Sequence, residues 1–105
     1  MTTKRYNDQG QVAVLISPRF GAGWYTWHGN EDLLWDAGLV DLVLEGATAE
    51  RLELYCRAVY GDDDYYGGAE DLVVEWLEPG TEFRIEEYDG AESLVRRQDI
   101  AWHTA

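Results

Sequence analysis

The sequence predicts an α+β domain: an N-terminal strand, two or three short helices, then a three-stranded antiparallel meander, with the helices packed on one face of the sheet. Three observations predict it. Gln11-Val12-Ala13-Val14-Leu15-Ile16-Ser17 is a near-continuous apolar run. Between Asn30 and Tyr60 the apolar residues recur at the three- and four-residue spacing of helices. After Leu72, three β-rich runs are separated by Pro79-Gly80 and Asp89-Gly90. With 105 residues, 46% of them hydrophobic, the chain forms one domain, 1–105, around one core.

Residues 1–10 are polar and read as a flexible lead-in. The run from Gln11 to Ser17 has no polar alternation, which predicts a strand buried on both faces. Pro18 ends it, because proline donates nothing to a ladder. Asn30 suits a helix N-cap, and Glu31 and Asp32 suit the positive end of a helix dipole. Leu33, Leu34 and Ala37 give a short apolar face, and Gly38 is expected to interrupt it. Leu39, Leu42 and Val43 resume the spacing, and Gly46 is a C-terminal stop. Thr48 caps the next helix, whose inner stripe is Leu52, Tyr55, Cys56 and Val59. Leu72 to Leu77, Glu82 to Tyr88 and Ala91 to Arg97 are the meander strands. Pro79-Gly80 fits the centre of a type II turn, and Asp89-Gly90 is a strong hairpin signal. Ile100 and Trp102 are expected to close the edge of the core.

A two-residue turn at Asp89-Gly90 would set Tyr88 opposite Ala91 and Glu87 opposite Glu92. Like charges placed so destabilise a strand pair by up to about 1 kcal/mol. The expectation is a solvated hairpin tip where water and salt screen the repulsion. The other reading is a functional surface, where local rules are more often broken.

The densest concentration of unusual residues is Phe20-Gly21-Ala22-Gly23-Trp24-Tyr25-Thr26-Trp27-His28, read as a loop after the first strand. Two glycines permit backbone angles that side chains forbid. The rings either pack beneath the protein or stack on a flat ligand. As a ligand site the loop would use Arg19, Gly21, Gly23, Trp24, Tyr25, Trp27 and His28, with Arg19 as counter-charge to an anion such as a nucleotide. A phosphate loop proper would add a lysine and run straight into a helix, and this sequence does neither. A third reading has the loop aromatics packing across the interface of a homo-oligomer.

Net charge is −13 and unevenly spread. Residues 1–30 hold Lys4, Arg5 and Arg19 against Asp8, whereas residues 60–92 hold 12 acidic side chains against Arg84 alone. That field repels DNA and RNA and attracts basic proteins. The candidate partner surface is Asp62, Asp63, Asp64, Glu70, Asp71, Glu75, Glu78, Glu86 and Glu87. The plainer reading is that the acids keep a small protein soluble.

The residues that could carry chemistry do not assemble a reaction. Cys56 is the only cysteine and sits on an apolar helix stripe, so no internal disulfide forms. His28 with Glu31 and Asp32 lacks a second histidine or a cysteine nearby, and Asp62-Asp63-Asp64 lacks the alternation and glycine of a calcium loop. No nucleophile, base and orienting group can be named together, so neither an enzyme nor a metal or other cofactor is expected. No signal peptide is recognisable, and no apolar run is long enough to span a membrane. The chain reads as a cytoplasmic protein.

Two segments carry a resemblance. Val14-Leu15-Ile16-Ser17-Pro18-Arg19-Phe20-Gly21-Ala22-Gly23-Trp24-Tyr25-Thr26-Trp27 and Pro79-Gly80-Thr81-Glu82-Phe83-Arg84-Ile85-Glu86-Glu87-Tyr88-Asp89-Gly90 resemble a family of small tailed-bacteriophage and prophage proteins with no assigned activity. The specific parts are Gly-Ala-Gly-Trp-x-Thr-Trp and Glu-Tyr-Asp-Gly. The resemblance carries over no functional residue. It implies a phage origin and action in the cytoplasm of an infected bacterium. Small acidic phage proteins often block host nucleases or polymerases by presenting a duplex-like array of carboxylates, and others sequester nucleotide signals of host immunity. The expected function is therefore an accessory protein that binds and inhibits a basic host protein, such as a nucleic-acid-handling CRISPR effector, by mimicking DNA.

Overall fold

The computed structural model describes residues 3–62, 66–99 and 104–105. The chain runs β1 (Val12–Ile16), α1 (Tyr25–His28), a 3₁₀ turn (Glu31–Leu34), α2 (Ala37–Leu44), α3 (Ala49–Tyr60), a 3₁₀ turn (Gly67–Asp71), β2 (Val73–Leu77), β3 (Phe83–Tyr88), β4 (Ala91–Arg96) and a last 3₁₀ turn (Arg97–Asp99). Asp63, Asp64, Tyr65, Ile100 and Trp102 lie outside the described residues.

The class is α+β as predicted, but the three-stranded meander does not form. β1 pairs antiparallel with β2, and β3 pairs antiparallel with β4, in two separate sheets. The two glycine turns account for the difference. At Pro79-Gly80 the Thr81 N–H donates to the Glu78 carbonyl at 3.1 Å and Gly80 has φ of 85°, as a type II turn requires. That turn's twist opposes the strand twist and splays the chains it joins. Asp89 and Gly90 have φ of 51° and 85°, the two positive values of a type I′ turn, whose twist matches. Hence β3 and β4 zip together while β2 turns to β1.

β1 is covered on both faces, as its unbroken apolar run predicts. Ala13 and Leu15 face Leu39 and Val40 of α2, Leu52 and Cys56 of α3, and Trp24. Val14 faces the other way, with Leu34 and Leu77, onto Trp35 and the inner face of the β3–β4 hairpin at Phe83, Ile85 and Leu94. The β1–β2 sheet is thus a middle layer between helices and hairpin.

The helix boundaries show where local chemistry won. Asn30 caps as expected, its Oδ1 accepting from the Asp32 N–H at 3.0 Å, but what it starts is a 3₁₀ turn. Gly38 does not interrupt a helix; it lies inside α2, whose N-cap is Asp36. Gly46 stops α2, its N–H donating to the Val43 carbonyl while that of Ala47 donates to Leu42. Thr48 caps α3 through the Arg51 N–H at 3.2 Å. On α3, Leu52 and Cys56 are buried and Tyr55 is half-buried, but Val59 points to solvent. Residues 3–10 are tied to the body. The Thr3 carbonyl accepts from Ala37 N–H, that of Arg5 accepts from Ala13 N–H, and Arg5 pairs with Asp41 at 2.8 Å.

Candidate functional site

The glycine-aromatic segment is a hub on which four parts of the fold converge. It is not all loop: Tyr25–His28 is the helical turn α1, ended by Gly29 at φ of 68°. Trp24, with none of its surface exposed, contributes its whole indole to the core and donates from Nε1 to the Leu33 carbonyl at 3.0 Å. Burying about 150–250 Å² of ring at about 25 cal/mol per Å² stabilises the fold by about 4–6 kcal/mol. His28 stacks on Tyr66, ring centroids 5.2 Å apart, and meets Trp24 edge-on at 5.4 Å.

Glycine contacts set how closely the parts approach. A Cβ at Gly68 would strike the Gly23 carbonyl oxygen, and one at Gly90 would strike that of Gly21. A Cβ at Gly23 itself would sit 2.5 Å from the Trp27 ring. The Gly21 N–H donates to the Asp89 carbonyl at 3.1 Å, closing the segment onto the hairpin turn.

Glu92 locks this hub. The predicted register holds, with Glu87 opposite Glu92 and Tyr88 opposite Ala91. The solvated tip does not: Glu92 is only 2% exposed. Its Oε1 accepts from the Ser17 N–H at 3.0 Å; its Oε2 accepts from the Trp24 N–H at 2.8 Å, the Thr26 N–H at 2.9 Å and the Thr26 hydroxyl at 2.6 Å. The carboxylate thus satisfies amide donors at the start of α1 that its own turn leaves unpaired. Glu87, opposite it, accepts from the Gly90 N–H at 2.6 Å. Repulsion is avoided because each carboxylate has its own set of donors.

Of the residues considered for a ligand, Gly23 and Trp24 are interior, and Gly21 shapes the contact with the hairpin turn. Tyr25 and His28 are half-buried, and Trp27 is 51% exposed. Arg19 is solvent-facing, with Nε 3.8 Å from Asp71 Oδ1. Beside it Phe20 and Tyr88, 69% and 78% exposed, form an edge-to-face pair with centroids 6.3 Å apart.

The acidic residues divide by place. Glu70 and Asp71 lie on the 3₁₀ turn packed against the hub, and Glu86, Glu87 and Asp89 lie at the hairpin end bonded to it, so these share one end of the molecule. Glu86 pairs with Arg84 at 3.0 Å, an exposed contact of the kind that contributes 0 to about 1 kcal/mol. Asp62 is exposed after α3, where its carbonyl accepts from Arg57. Glu75 is exposed on β2. Glu78 is at the far end of that strand, where it accepts from Gln11 Nε2 at 3.2 Å.

A second buried carboxylate, Asp36, joins α2 to α3. It accepts from the Leu39 N–H at 3.0 Å, the Tyr55 hydroxyl at 2.7 Å and the Tyr60 hydroxyl. Burial, then the Asp36 bond, push Tyr55 above its ordinary 10.0. Burial, then the Asp36 charge, push the Cys56 thiol from 9.0 up to about 12. Both groups hold their protons more tightly folded than unfolded. Their contribution to stability is therefore complete below pH 9.0 and is lost as pH rises toward about 12. Denaturant midpoints taken across that window should fall, and Cys56→Ala should flatten the fall; an unchanged pH profile for the variant would count against the assignment.

A surface cavity of about 530 Å³ lies between α1 and β3 and is lined by Tyr25, Leu34, Trp35, Phe83 and Ile85, with the charged Glu31, Glu82 and Arg84 also in its lining. Among the described residues no three His, Cys, Asp or Glu side chains gather as a metal site requires, and no helix is long and apolar enough to cross a membrane. Comparison with known proteins finds no matching family model, no matching curated protein and no matching solved structure.

Proposed function

We propose that this is a protein-binding module that docks its acidic, aromatic-tipped end onto a basic surface of a partner protein. The observation that carries the reading is the exposed Phe20–Tyr88 pair beside Glu70, Asp71, Glu86, Glu87 and Asp89. Exposed rings give a docking surface its anchors, and surrounding charge steers the encounter and selects the partner. The hub beneath, held by Glu92 and the glycine contacts, makes the surface preorganised, so little ordering is left to pay for on binding. In its fullest form, drawn from the phage resemblance and the net charge of −13, the partner is a nucleic-acid-handling protein of an infected bacterium, inhibited because carboxylates occupy its phosphate groove.

Immobilised protein exposed to bacterial lysate tests this. Basic proteins should bind at about 50 mM salt and elute at about 300 mM, where exposed charges are screened. Duplex DNA should displace them, and the Phe20→Ala/Tyr88→Ala double variant should capture several-fold less. Binding indifferent to salt, to DNA and to the double variant would overturn the reading.

A further inference from the structure

The β3 edge offers a second surface with a definite register. In the β3–β4 hairpin the two-residue turn makes Tyr88 and Ala91 a hydrogen-bonded pair, so alternate residues of β3 turn their backbone groups away from β4. Two bonds fix the phase. The Arg97 N–H donates inward to Glu82 at 2.8 Å, whereas the Glu92 N–H, opposite Glu87, donates outward to Ser17 at 2.8 Å. Phe83, Ile85 and Glu87 therefore present N–H and C=O groups at the outer edge of β3. No described residue bonds to them, and at Phe83 and Ile85 the strand borders the open cavity. An edge of this kind is a template for another strand.

We propose that the occupant is the β3 strand of a second copy, paired antiparallel about Ile85 into a four-stranded sheet. A two-fold axis normal to the sheet keeps each side chain on its own face, so only residues of like parity can oppose. Centred on Ile85, the axis sets Ile85 against the partner's Ile85 and Phe83 against the partner's Glu87, all with outward backbone groups. On the solvent face it sets Arg84 against the partner's Glu86, and Glu86 against the partner's Arg84, opposite charges both times. Centred on Glu86 instead, it would set Glu86 against the partner's Glu86, a like-charge pair that destabilises. Of the registers that keep both Arg84 and Glu86 within the paired β3 strands, the Ile85-centred one alone sets opposite charges against each other. Tyr88 then lies opposite the partner's Glu82 at the end of the paired strands, while Phe20, Glu70, Asp71 and Asp89 lie outside the pairing and stay available for the proposed docking.

Two chains of −13 repel, so the dimer should strengthen with salt, opposite to capture of a basic partner. Sedimentation of the full chain from about 10 to 500 µM, at about 50 and 500 mM salt, reads this directly. The dimer fraction should rise with concentration and with salt. Arg84→Glu and Glu86→Arg should each weaken association at least several-fold, and the double exchange Arg84→Glu/Glu86→Arg should restore it. Glu86→Arg is decisive, because it lowers the net repulsion yet sets two arginines opposite each other. A monomer throughout, or a dimer indifferent to the single exchanges, would overturn the proposal. Both side chains are exposed, and unchanged thermal melting of the variants would exclude a folding defect. The proposed docking weakens with salt where the dimer strengthens, and Phe20→Ala reads it from outside the paired strands, so the two proposals fail separately.

Discussion

Glu92→Ala is expected to cost about 3–5 kcal/mol, the range for deleting one side of a buried, hydrogen-bonded charge. Ser17, Trp24 and Thr26 would each keep a backbone N–H with no acceptor, and a buried unsatisfied donor costs about 1–3 kcal/mol. The sum is capped because a vacated site at the segment's edge lets water reach some of these groups. A domain of this size has about 5–15 kcal/mol in total, so the variant should melt on the order of 15–30 °C lower. Glu92→Gln keeps one acceptor but turns an amide NH₂ toward these donors, and should fall between. The near-ultraviolet signal of Trp24, whose own N–H is one of the donors, should broaden before global unfolding. A Glu92→Ala melt within experimental error of the parent would refute the locking role.

The sequence carried the elements more faithfully than their partners. β1 was legible because an unbroken apolar run needs cover on both sides, and it has it. The β3–β4 register was legible because Asp89-Gly90 admits the positive φ values of a type I′ turn and little else. The failed meander was legible only in part. Pro79-Gly80 does form the expected type II turn, but a turn in the right place does not make a hairpin if its twist is wrong. Which strand β2 then joins is decided by long-range packing on both faces of β1, which local spacing does not encode.

The hub was visible as a concentration of glycine and aromatic residues, but its lock was not. Glu92 is one acid among the 21 of the chain and sits in an acidic hairpin, so composition marks it for the surface. The one signal was the awkward opposition of Glu87 and Glu92. A strand that tolerates a like-charge pair must separate the two or satisfy each, and here it satisfies each. The same logic exposes Gly38. At that position a side chain would collide with the Tyr55 hydroxyl, so the glycine is the opening through which Tyr55 reaches Asp36. What looked like a helix breaker is a packing requirement.

Asp36→Ala is the second large effect, expected at about 3–4 kcal/mol. Loss of the α2 cap alone costs about 0.5–2 kcal/mol. The Tyr55 and Tyr60 hydroxyls would also lose their acceptor in a half-buried setting, at about 1 kcal/mol or more each. A double-mutant cycle separates the contributions. Tyr55→Phe should be costly in the parent and nearly neutral beside Asp36→Ala, because the hydroxyl then has nothing to lose. Asp36→Asn retains the cap and should recover about half of the loss. If Tyr55→Phe costs the same in both backgrounds, the carboxylate is a helix cap and nothing more, and α3 is held to α2 by the apolar cluster around Leu39, Val40, Leu52 and Cys56.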